Sequence, residues 1–286
     1  MAQSKSVVVT GVSTGIGWGA VKVLVGQGFH VFGSVRKQAD AERLKAEFGE
    51  AFTPLLFDVT DEAAVRAGAR QVEAALGGQT LAGLVNNAGI AVAGPLLYLS
   101  LDDWRQQLEV NLTGVVIATQ AFAPLLGAGG APVATPGRIV NISSVGGRNG
   151  NPFMAPYCTT KFGLEGLSES LRRELLPFGV DVVVVAPGAV ATPIWDKADQ
   201  IDTSRYANTP YIKALDRMRA YMLRIGQAGL PPEKIGQVIA TALTANKPKV
   251  RYVVSPSPMQ VLMTEILPKR TLDRIVGQRL GLLPEA

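Results

Sequence analysis

Two rhythms of apolar positions alternate along this chain. Unbroken apolar runs rich in β-branched residues, such as Val7–Val9, suit strands buried on both faces. Between them, apolar residues recur every three or four positions, the spacing of a helix with one packed face. The pattern predicts strands near residues 6–10, 29–34, 52–57, 81–86, 137–142, 180–186 and 250–254. Helices are expected near 16–27, 39–48, 61–76, 102–126, 156–176 and 231–244. Such alternation builds a parallel seven-stranded sheet covered by helices on both faces, an α/β doubly wound fold. Right-handed crossovers bring the C-terminal ends of the strands, and the motifs that follow them, to one edge.

The first strand runs straight into Gly11-Val12-Ser13-Thr14-Gly15-Ile16-Gly17, and a helical pattern follows. Strand, glycine turn and helix make a mononucleotide-binding unit of the Rossmann type. The glycines admit a tight turn and close backbone approach to a pyrophosphate, which then faces the helix N-terminus. The second strand ends in Ser34-Val35-Arg36-Lys37, with no acidic residue to bind a ribose 2′-hydroxyl. Arg36 suits a 2′-phosphate instead, with Ser34 as a helper, so NADP(H) is expected over NAD(H). Further along, Tyr157 and Lys161 stand four residues apart on a predicted helix, thirteen and more residues after Ser143-Ser144. An ammonium beside a phenol favours the phenolate, which suits tyrosine to proton transfer.

Taken in order, these motifs resemble the short-chain dehydrogenase/reductase family in its simple, single-domain branch. The resemblance spans roughly residues 5 to 193. It rests on the glycine motif, Asp58-Val59, Asn86-Asn87-Ala88-Gly89, Asn111, Ser144, Tyr157, Lys161, and Pro187-Gly188 followed by Thr192. It implies that Tyr157 is the general acid/base and that Lys161 lowers its pKa and binds the nicotinamide ribose. Ser144 would orient the substrate oxygen, and Asn111 would hold a water in a relay to Lys161. Gly11, Ser13, Thr14, Gly15, Ile16 and Gly17 would cradle the phosphates, Asp58 and Val59 would flank the adenine, and Asn87, Ala88 and Gly89 would line the adenosine side. Pro187, Gly188, Val190 and Thr192 would hold the nicotinamide. Asn86 and Asp58 also admit purely structural roles.

The resemblance further implies a substrate lid over about residues 193–230. There Tyr211, Leu215, Met218 and Met222 form a helical stripe suited to docking on the core, with some of them as a substrate wall. Trp195 would stand beside the nicotinamide, with Phe153 and Met154 opposite. Residues 255–286 form a C-terminal extension with apolar residues at helical spacing among Lys269, Arg270, Arg274 and Arg279. Core docking or subunit contact is expected there, with a lipid-facing role as the alternative. A likeness to hydroxysteroid and retinol dehydrogenase-like members points to a lipophilic ketone or secondary alcohol: a steroid, retinoid or aryl ketone. A catalytically inactive NADP(H) sensor and a nucleotide-sugar epimerase or dehydratase share several of these features.

Composition narrows the field further. The 286 residues are 47% hydrophobic, enough for a substantial core in one domain. One cysteine and one histidine, His30, make no metal centre, and none is expected. A net charge of +5 without Lys/Arg runs argues against nucleic acid as a partner. No apolar run reaches 18 residues and no signal peptide precedes the first strand, so a cytoplasmic chain without a transmembrane segment is expected. Family likeness implies a homodimer or homotetramer through the helices at 102–126 and 156–176.

Overall fold

The computed structural model describes residues 5–130, 133–193 and 203–284. Seven strands form one sheet: β1 (Ser6–Val9), β2 (His30–Val35), β3 (Phe52–Leu56), β4 (Gly83–Asn86), β5 (Arg138–Ile142), β6 (Asp181–Pro187) and β7 (Arg251–Val254). All pairings are parallel, in the order β3-β2-β1-β4-β5-β6-β7. The order reverses between β1 and β4, where a crevice opens beyond the strand ends. Each expected strand is present, with ends shifted by a residue or two.

Alternation along a strand divides the core into two layers. Val7 and Val9 face one layer, which Ala20, Val21 and Leu24 of helix α1 (Gly15–Gly26) and Ile235 and Ile239 of a later helix complete. Val8 faces the other layer, with Val65 and Val72 of α3 (Glu62–Leu76) and Phe122 of α5 (Gly114–Phe122). Helix α2 (Gln38–Phe48) covers the β2–β3 end of the first layer through Ala41 and Leu44. Both faces are therefore apolar, which explains the unbroken valine runs.

The single helix expected over 102–126 is interrupted. Helix α4 (Leu101–Leu108) passes into a π-helical turn, Glu109–Thr113, before α5 begins. The wide turn carries buried Asn111, and Gly114 after it lies against Val59, where a Cβ would come 2.8 Å from a valine methyl. Such turns insert a residue and re-aim side chains. Among the described residues, 101–126 is the one helical stretch that by length and composition alone could cross a membrane. Its Ala118, Phe122 and Leu126 pack into the second core layer.

Helix α6 (Ala155–Glu174) carries Tyr157 and Lys161. After β6 come α7 (Ile212–Gln227) and α8 (Pro232–Thr244), and after β7 the tail helices α9 (Pro258–Ile266) and α10 (Lys269–Leu280). Leu215 and Met218 of α7 and Leu280 of α10 bury themselves with Phe153, Met154 and Cys158, so the expected stripe docks onto the loop before α6. Helices α1 and α8 cross at two glycines. A Cβ on Gly19 would lie 2.6 Å from the Pro232 carbonyl carbon, and one on Gly236 would lie 2.6 Å from the Gly19 carbonyl oxygen. This close crossing seats α1, and with it the glycine turn.

Candidate active site

The crevice is a cavity of about 550 Å³ lined from the glycine turn to the tail helices. At one end, Gly11 and Gly15 have φ values of +70° and +61°, the left-handed region glycine tolerates. A Cβ on Gly11 would meet Ala88 Cα at 2.8 Å, one on Gly15 would meet the Thr192 methyl at 3.2 Å, and one on Gly17 would strike the Gly11 carbonyl oxygen. Asn87 ties the turn down: its side-chain amide donates to the carbonyls of Thr10 and Gly11, both at 2.9 Å. The Thr10 hydroxyl accepts from the N–H groups of Asn87 and Ala88. Helix α1 starts at Gly15 with no side-chain cap and no acidic residue in its first turn. Its N–H groups and positive dipole end therefore suit a phosphate, and the cradle fits a dinucleotide.

Along the edge, Ser34, Arg36, Asp58, Val59, Ala88 and Gly89 line the same cavity. The Ser34 hydroxyl accepts from the Gly11 N–H at 2.9 Å, so it braces the turn. Arg36 lies 3.5 Å from the Asp58 carboxylate. Burial pushes the Asp58 carboxyl up, but hydrogen bonds from Thr60 and the Arg36 guanidinium outweigh it and hold it below the usual range. Pro187, Gly188, Val190 and Thr192 lie further in, where Val190 bridges to Leu230.

In the middle, Ser143, Ser144 and Tyr157 share the floor. Ser144 leaves β5 in extended geometry and accepts from the Gly146 N–H at 3.0 Å; a hydrogen bond from its hydroxyl would favour the ionised Tyr157 phenol. Lys161 is one turn along α6, its ammonium 5.7 Å from the Tyr157 ring centre. That ammonium donates to the Ile142 carbonyl at 2.8 Å. Burial lowers its pKa to about 8, although Glu165, one turn further on, pulls the other way. Glu165 is itself paired with Arg251 at 2.9 Å. Asn111 accepts from the Ile90 N–H, donates to its carbonyl, and donates at 3.2 Å to Thr160, whose hydroxyl bonds the Tyr157 carbonyl.

Two expectations change here. The phenol of Tyr157 is raised rather than lowered: burial dominates, the Ser144 hydrogen bond offsets it in part, and the Lys161 ammonium is turned to a backbone carbonyl. Phe153 does not line the cavity; it takes a left-handed φ of +64° and sets its ring edge against Tyr211, 5.8 Å away, leaving Met154 as the wall. Asn86 faces away from the cavity in a buried chain, donating to Thr119 and Asn141, while Asn141 donates to Ser168. Trp195 lies outside the described residues.

The family profile for short chain dehydrogenase matches residues 5–202. The chain belongs to that family. Among similar proteins, NADPH-dependent 3-dehydrocapnine reductase of Ornithobacterium rhinotracheale is 37% identical over 94% of this chain and 94% of its own. Retinol dehydrogenase 5 of Mus musculus is 35% identical, covering 96% of this chain and 88% of that one. The crystal structure of a short-chain dehydrogenase from Streptomyces avermitilis superposes with a TM-score of 0.78 at 25% identity, over the full length of both chains. The chain is thus an oxidoreductase by family and fold.

Several contributors to this short-chain dehydrogenase site carried no readable signal in sequence. Val145, Gly146, Asn149 and Asn151 edge the cavity beyond Tyr157, and so does Ile225 of α7. Gln260, Val261 and Thr264 of the tail join them, more than 100 residues after Tyr157 in the chain. Only the sheet order brings those segments together.

Proposed function

We propose that this protein transfers hydride between NADP(H) and a lipophilic ketone or secondary alcohol, with Tyr157 as general acid/base. The observation that carries this reading is that Ser144 and Tyr157 line the same cavity as the glycine turn. Bound at the turn, the nicotinamide nucleotide supplies or accepts the hydride, the one part of the chemistry no side chain performs. Ser144 orients the substrate oxygen, and Tyr157 gives it a proton in reduction or takes one in oxidation. We assign Lys161, whose ammonium donates to the Ile142 carbonyl, to the nicotinamide ribose and to returning a proton to Tyr157, while Asn111 fixes the backbone of that relay.

The glycine turn, Ser13, Thr14, Ile16 and the Asn87–Gly89 segment hold the pyrophosphate and adenosine, and Pro187–Thr192 hold the nicotinamide. Arg36 reads the 2′-phosphate; no carboxylate ends β2 to repel it. The NADPH dependence named for the relative from O. rhinotracheale supports the same choice. The walls beyond Tyr157 are mainly apolar, with Met154, Met218, Tyr221, Met222 and Ile225, and this supports a lipophilic substrate. Retinol dehydrogenase 5, named for such a substrate, is similar over nearly the whole chain. We take residues 5–284 as one domain, with the segment through α7 as its substrate lid.

Parallel fluorescence titrations with NADPH and NADH test the cofactor assignment. NADPH should bind more tightly, and Arg36→Asp, which sets a second carboxylate beside Asp58, should reverse the preference. Equal affinities in the wild-type protein would remove Arg36 as the reader. A panel of steroid, retinoid and aryl ketones with NADPH then tests the substrate class.

A further inference from the structure

Helix α9 carries its amphipathic pattern the opposite way from an ordinary surface helix. Met259, Leu262, Met263 and Ile266 are 69%, 49%, 40% and 62% exposed. Gln260, Val261 and Thr264 instead turn to the cavity. At a helical rotation of about 100° per residue, the four apolar side chains fall within one arc of about 100° and the three cavity residues lie outside it. A water-facing helix places its apolar stripe inward, and no residue of α9 is buried.

Cations gather where this stripe ends. Exposed Lys269 and Arg270 follow Ile266 within four residues, and exposed Arg274 comes one turn later. Among the described residues, the nearby carboxylates are Asp273, 3.8 Å from Arg270, and Glu265, which lies 3.9 Å from Arg251. An apolar stripe bordered by cations matches the headgroup zone of an anionic bilayer, where the side chains enter the acyl boundary and the cations meet lipid phosphates. A second copy fits less well, because it carries the same net charge of +5 and adds no anionic complement to these cations.

We infer that α9 and the start of α10 dock on an anionic lipid surface. The cavity wall formed by the inner face of α9 then stands beside the bilayer, so a lipophilic molecule can pass between membrane and cavity with little exposure to water. The docking rests on exposure and charge alone and does not depend on how the catalytic site is read.

Sedimentation of the full chain with vesicles tests it, without cofactor or substrate. The protein should pellet with phosphatidylcholine vesicles doped with phosphatidylglycerol, less with phosphatidylcholine alone, and less again as salt rises. Leu262→Gln/Ile266→Gln should lower partitioning at least about tenfold, since two side chains lose their burial. Lys269→Glu/Arg270→Glu should lower it by about tenfold or more on the anionic vesicles only. Both variants should keep the wild-type melting temperature and NADPH affinity, which separates lost docking from misfolding. Wild-type protein that stays in the supernatant with both vesicle types overturns the inference. So does undiminished pelleting of either variant. Loss of a wild-type oligomer in Leu262→Gln/Ile266→Gln, without vesicle binding by the parent, would make this face a subunit contact and equally overturn it.

Discussion

Replacing Tyr157 by Phe removes one hydroxyl and keeps a ring that packs beside Met154 and Cys158. Turnover in Tyr157→Phe should fall by about 10²–10⁴-fold or beyond detection, the span expected when a positioned proton donor is lost. NADPH affinity should stay within a few-fold, because the cradle is built by Gly11, Gly15, Gly17 and Asn87. Steady-state rates with a ketone substrate, beside a cofactor titration, check both halves; retained turnover would remove Tyr157 as the donor. At this scale the sequence was most legible where chemistry demands a fixed spacing: the glycine turn, Ser144, and Tyr157 with Lys161. It was least legible where a group acts through its surroundings. Nothing in the spacing of Tyr157 and Lys161 reveals that Ile142 takes the ammonium, or that burial governs both groups.

The elements follow from local pattern, while their junctions follow from contact. Strands and helices lie where valine runs and helical spacing put them, but the π-turn at Glu109–Thr113 has no local signature, since it serves Asn111 and the close approach of Gly114 to Val59. The α1–α8 crossing is a second such junction. Helix propensity alone makes Gly236→Ala favourable by about 1 kcal/mol. Its Cβ, however, would stand 2.6 Å from the Gly19 carbonyl oxygen and 3.0 Å from a Val23 methyl. Overpacking of that kind costs about 1–3 kcal/mol, so Gly236→Ala should destabilise the fold. Gly166→Ala, at an exposed position of α6 with nothing within 4 Å of its Cβ, should stabilise it by up to about 1 kcal/mol. Denaturant unfolding of the pair checks the opposite signs; a stabilised Gly236→Ala would mean that the helices separate freely.

For the whole molecule, the depressed Lys161 pKa becomes a dependence of stability on pH. Its pKa is 10.5 when unperturbed and about 8 in the fold, so between these values the unfolded chain holds the extra proton. Unfolding then takes up protons, and stability rises with pH from about 8 towards 10. Tyr157, raised by burial, opposes this only above pH 10, where the unfolded chain loses its phenolic proton first. Lys161→Met should remove up to about 3 kcal/mol of that rise. Unfolding free energies at pH 8 and 9.5 for both proteins check it, and parallel profiles would refute a depressed Lys161. By itself, the sequence determined the family, the strand–helix alternation, the glycine turn and the positions of Ser144, Tyr157 and Lys161, because each depends on residues close together in the chain. Tertiary structure alone decided which carbonyl holds Lys161, which way the Tyr157 pKa moves, which groups partner Asn86, and that the tail closes the cavity with one face while leaving an apolar stripe outside. Those outcomes depend on burial and on contacts between segments distant in sequence, and no local pattern encodes them.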